Sequence, residues 1–138
     1  MIVLDAHQDI AMNALSNGRD YREHSLIKRR REAGSALEEY AGIATVGLPD
    51  ALIGRVAIVF ATLFVEPRRI EEQYKRPSFS NQLYKTPQEA YTLAMGQMDY
   101  YQRLADESPR VRLIRRQADL EAVLATWADD QPFEKRVH

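Results

Sequence analysis

The sequence predicts an α/β fold organised on a parallel sheet, and three observations predict it. A short β-rich run opens the chain at Ile2–Ala6, a continuous apolar run fills Val56–Val65, and a strongly signalled helix follows from Thr86. Strand, connection, buried strand and then helices is the opening rhythm of βα units.

Ile2–Ala6 leads into the polar triplet His7, Gln8, Asp9, which reads as a buried strand emerging into a loop. Asn17 and Gly18 mark a turn, and a helix is expected from Asp20 to near Gly34. Lys28, Arg29, Arg30 and Arg31 form the one dense charge run. They read as a solvated helix end whose cations suit the C-terminal dipole, in preference to a phosphate-binding patch, because no aromatics interleave. Ser35–Tyr40 is expected to be a short helix, and Gly42, Gly47, Pro49 and Gly54 to punctuate a connection.

The run from Arg55 to Glu66 is β-branched and aromatic on both faces, as in a parallel strand covered by helices. A polar stretch rich in Arg, Pro and Ser comes next. Thr86 is then a natural N-cap, Pro87 takes the first helical position, and Glu89 can close a capping box. Ala90, Leu93, Ala94, Met98, Tyr101, Leu104 and Ala105 recur at helical spacing over about five turns. Tyr91, Met95, Met98, Tyr100 and Tyr101 are expected to pack in or beside the core. Ser108 and Pro109 stop this helix, Val111–Ile114 reads as a short strand, and Leu120, Val123, Leu124 and Trp127 mark a last helix ending near Pro132.

The bulk properties narrow the function. A net charge of −1 gives no global field to draw nucleic acid or anionic lipid. There is no cysteine, which excludes disulfides, zinc thiolates and thiol nucleophiles and suits a cytoplasmic protein. The first residues lack the pattern of a secretory signal, and Val56–Val65 is about half the length a membrane helix requires, so no membrane insertion is expected.

In parallel sheets chemistry collects at the C-terminal ends of the strands, where His7 and Asp9 fall. Period-two alternation would set Val3, Asp5, His7 and Asp9 on one side and Ile2, Leu4 and Ala6 on the other. An imidazole and a carboxylate meeting there are good ligands for zinc or a similar ion. The alternative is a plain hydrogen-bonded pair at a loop start.

The string Leu4-Asp5-Ala6-His7-Gln8-Asp9-Ile10 resembles the N-terminal metal motif of the membrane (renal) dipeptidase family, whose usual form is Asp-Gly-His-Asn-Asp-Leu. Ala6, Gln8 and Ile10 are mild departures. Gly47-Leu48-Pro49 with Gly54-Arg55-Val56-Ala57 is similar to the family's approach to its second strand. The capped helix and the segment around Ala118-Asp119-Leu120 are similar to the region beyond that strand in the family.

The resemblance implies the N-terminal part of a (β/α)8 barrel and a dipeptide hydrolase with two zinc ions. His7 and Asp9 would be ligands of one of them. The family's bridging Glu, in a Glu-Gly context, and two further His ligands match nothing here: Glu66 precedes Pro67, and neither His24 nor His138 is a credible ligand. A full barrel takes about 250 residues, so this chain would supply the first two or three βα units. It is therefore expected to be inactive alone, and to form a homo-oligomer or associate with a C-terminal portion that completes the sheet. The competing reading is a catalytically empty relative or interaction module that kept the start of the fold.

Overall fold

The structure, a computed structural model, describes residues 1–68, 81–128 and 131–138. The expected polar stretch after Arg68 lies almost wholly outside the described residues. Strand β1 (Val3–Gln8) runs straight into helix α1 (Ile10–Asn17) with no loop between them. Helix α1 stops at Gly18, whose φ of 63° is the left-handed geometry that glycine adopts without cost. The helix expected from Asp20 begins later, as α2 (Ser25–Glu32).

The short helix expected over Ser35–Tyr40 is α3 (Ala36–Ala41), and Ser35 caps it, its hydroxyl accepting from Glu38 N. The glycine-punctuated stretch holds a further short helix, α4 (Leu48–Ile53), which the spacing of breakers conceals. Gly47 before it cannot carry a side chain, since a Cβ there would sit 2.2 Å from the Glu23 carbonyl oxygen.

Strand β2 (Val56–Ala61) pairs parallel with β1 in a two-stranded sheet, and two-residue strands β3 (Glu66–Pro67) and β4 (Leu83–Tyr84) form a second parallel pair. The expected long strand is thus cut short. Only Ala57 is fully buried, and Phe60 is 60% exposed. The chain leaves the sheet at Thr62, and Phe64 is then held by a side chain, its N–H donating to Gln97 Oε1 and its carbonyl accepting from Gln97 Nε2.

The pairing is irregular in a way that matters. Asp5 lies opposite Val59 and Gln8 opposite Ala61, so three steps on β1 match two on β2. Such a bulge resets side-chain alternation. Asp5 and Gln8 consequently meet, with Gln8 Nε2 donating to Asp5 Oδ2 at 2.8 Å. The expected unbroken alternation through β1 does not hold.

Helix α5 (Pro87–Glu107) begins at Thr86, which accepts from Glu89 N, while Glu89 Oε2 accepts from Lys85 N. Its buried stripe is Gln97, Tyr101 and Leu104. Tyr91, Met95 and Met98, expected in or beside the core, are exposed. Val111–Ile114 is not a strand on β2. Its start instead brackets His138, with Arg112 N donating to His138 O and His138 N to Arg110 O, both at 2.8 Å. A cleft of about 420 Å³ is lined by Ile58 and Phe60 of β2 and by Val111 and Ile114. Helix α6 (Gln117–Ala125) ends before the expected Pro132 and buries Val123, with Trp127 buried just beyond it.

Candidate metal centre at the end of the first strand

His7 lies in the last turn of the pleat of β1, and Asp9 takes the N-cap position of α1. Their side chains meet at the C-terminal end of the strand, His7 Nε2 lying 3.3 Å from Asp9 Oδ2. His7 is exposed, and its backbone N–H donates to Asp5 Oδ1. Asp5 is held below the usual carboxylate range by the Gln8 amide and then by that His7 N–H.

Asp9 departs from what its position favours. An aspartate at an N-cap usually accepts from the amide two or three residues on, worth about 1 kcal/mol. Here the carboxylate makes no capping bond. Its Oδ1 accepts a hydrogen bond from the Thr62 hydroxyl, and its Oδ2 faces His7. The amide of Ala11 donates instead to Tyr101 Oη at 3.1 Å, and Tyr101 in turn donates to the Thr62 carbonyl at 2.8 Å. Burial, above all, pushes the Tyr101 phenol up to about 12, so it remains a donor at neutral pH.

The donor set fits zinc. Two ligands of a tetrahedral zinc ion, each about 2.0–2.2 Å from it, lie roughly 3.3–3.5 Å apart. A charge-assisted N–H···O bond closes to about 2.7–2.9 Å. The separation of 3.3 Å is that of a long hydrogen bond and is also within the reach of two ligands sharing one ion. Among the described residues no third His, Asp or Glu joins the pair.

Compared with known proteins, the chain matches no family model, no curated protein and no solved structure.

Other residues singled out in the sequence lie elsewhere. Glu66 opens β3 rather than ending β2. His24 sits at the start of α2 with Nδ1 2.8 Å from Asp50 Oδ1. His138 is buried, its Nδ1 donating to the Val56 carbonyl and its Nε2 accepting from the Tyr21 hydroxyl, both at 2.8 Å. With both ring nitrogens engaged, it is no ligand.

The basic run does close α2, with Arg29, Arg30 and Arg31 in its last turn and Arg30 and Arg31 exposed, but not all of it is solvated. Lys28 is 1% exposed and donates to the Asp20 carbonyl, Arg29 donates to the Ala44 carbonyl, and Arg31 pairs with Glu23. Lys28 and Arg29 turn back onto the loops around α2, and burial lowers the Lys28 pKa. No helix among the described residues is long and apolar enough to cross a membrane.

Sequence reasoning misses Thr62 and Tyr101. Thr62 is hidden inside the apolar run, although a hydroxyl among β-branched residues near a strand's C-terminal end is a signal that could find it. Helical spacing puts Tyr101 on the buried face but assigns no role to its hydroxyl.

Proposed function

We propose that this chain is the opening portion of a zinc-dependent, dipeptidase-like hydrolase built as a (β/α)8 barrel and working in the cytoplasm. One observation carries the reading. At the C-terminal end of a parallel strand, where such folds keep their chemistry, Asp9 forgoes its helix cap and turns its carboxylate to His7 at a separation suited to one ion. A bound zinc would polarise a peptide carbonyl and lower the pKa of a bound water.

The chain's own part is to bind and orient. His7 supplies a neutral nitrogen donor and Asp9 an anionic oxygen. The short strand end fixes both relative to the sheet. The remaining ligands of a two-metal centre, and the strands that would flank β2, come on this reading from further polypeptide: a C-terminal portion of the same enzyme or a second copy of the chain.

Calorimetric titration of the 138-residue chain with Zn²⁺ tests the reading. Weak binding is expected, lost in His7→Ala, with no turnover of dipeptides, since two ligands leave most of the ion's coordination to water. Binding indifferent to His7→Ala would sink it. Dipeptide turnover abolished by His7→Ala would instead show that this chain assembles a complete centre.

A further inference from the structure

We infer that Thr62 and Tyr101 are positioning residues that free the Asp9 carboxylate from its helix and aim it at a divalent cation. The inference rests on the metal reading above and deepens it.

An aspartate heading a helix has a competing partner: the exposed amides of the first turn, which hydrogen-bond its carboxylate and draw it away from a ligand. In this chain the amide of Ala11, two residues beyond Asp9, is occupied by Tyr101 Oη. A phenol from α5 thus caps α1 in place of the aspartate. One of the two amides that could compete for the carboxylate is thereby taken.

Thr62 does the aiming. Its hydroxyl has one proton and lies near two acceptors, Asp9 Oδ1 and the Gln8 carbonyl 3.2 Å away. The Gln8 carbonyl already accepts the Thr62 backbone N–H at 3.0 Å, and a carboxylate is the stronger acceptor. The proton therefore goes to Oδ1, which leaves Oδ2 turned to His7. Thr62 is itself a fixed post, held by Gln8 through its N–H and by Tyr101 through its carbonyl. Outer partners of this kind orient ligating carboxylates and set metal affinity.

The test is Zn²⁺ affinity measured against a chromophoric competing chelator, with Co²⁺ absorption as a second signature of the ligand geometry. Thr62→Val keeps the shape and removes the hydroxyl, and should weaken Zn²⁺ binding about 10–100-fold. Thr62→Ser restores the hydroxyl and should restore both affinity and spectrum. Tyr101→Phe frees the Ala11 amide and should also weaken binding and alter the Co²⁺ spectrum. Metal-free thermal unfolding reports whether each variant folds, and Thr62→Ala stands in if Thr62→Val does not.

Thr62→Val binding as well as wild type, while His7→Ala loses the ion, would overturn the positioning role and leave the ligand reading intact. Equal losses in Thr62→Val and Thr62→Ser would overturn it too, since the hydroxyl would then not be the cause. Binding unaffected by His7→Ala would remove the metal reading, and this inference with it.

Discussion

Two His–Asp pairs lie at two helix starts, and they are built for different ends. At α2, Asp50 Oδ2 accepts the Ser25 amide at 2.7 Å while its Oδ1 meets His24 Nδ1 at 2.8 Å. At α1, Asp9 makes no capping bond and stands 3.3 Å from His7. Burial raises the Asp50 pKa, but the bonds from Ser25 and His24 outweigh it and hold the carboxyl below its ordinary range. The first pair is closed on itself and staples α2 to α4. The second is joined by one longer contact beside an exposed imidazole, and the Ala11 amide behind it is capped by Tyr101. The same two residue types thus separate into a fold element and a candidate site by where their hydrogen bonds go.

The contrast breaks most sharply on metal affinity. Asp9→Ala removes a proposed ligand and should weaken Zn²⁺ binding by more than the roughly 100-fold that loss of an outer partner can cost. Asp50→Ala should leave Zn²⁺ binding as it is. Comparable losses in both variants, in the same chelator competition, would mean that the two pairs do not differ in kind.

Stability should show the reverse order with a smaller effect. Asp50→Ala strands the Ser25 amide at a partly buried helix start, which costs about 1–3 kcal/mol. Asp9→Ala strands no amide, because Tyr101 already holds the one from Ala11, and should cost less. Urea unfolding of the metal-free proteins measures both. A larger loss in Asp9→Ala would show that its carboxylate is structural after all.

These differences bear on what a sequence can disclose. The meeting of His7 and Asp9 is legible because two residues two positions apart at a strand end are a local pattern. The capped start of α5 is legible for the same reason, its signal being confined to Thr86, Pro87 and Glu89. What is not legible depends on residues far apart. The bulge between Asp5 and Gln8 is set by pairing with β2, and the hydroxyl on Asp9 comes from 53 positions away. The basic run is legible at Arg30 and Arg31, which are exposed in the last turn of α2, but not at Lys28 and Arg29, which find backbone carbonyls contributed by the loops around α2. The apolar run overstates its strand for a related reason: hydrophobicity records a demand for cover, and among the described residues β1 is the only strand hydrogen-bonded to β2.

The third histidine sharpens the comparison through pH, with the smallest effect. His138 is closed like His24, but its partners are neutral: the Val56 carbonyl takes its Nδ1 proton, and its Nε2 accepts from Tyr21. Burial lowers its pKa below the ordinary 6.5, against an upward pull from the bond to the Val56 carbonyl and from Asp5. A base depressed on folding is protonated more readily in the unfolded chain. Its contribution to stability is therefore fully present above pH 6.5 and falls as the pH drops from there through the folded value. Protonation would also place a second N–H against the Tyr21 hydroxyl, which must then turn its own proton away from the ring. His138→Gln offers a neutral amide able to donate to Val56 and accept from Tyr21, with no charge to gain. The wild-type urea midpoint should drop between about pH 7.5 and about pH 5.5 more than that of His138→Gln, the difference isolating this residue from His7 and His24. Parallel pH dependences in the two proteins would show that His138 takes up its proton in the folded state as easily as in the unfolded one, and that its enclosure by Tyr21 and Val56 does not exclude the charge.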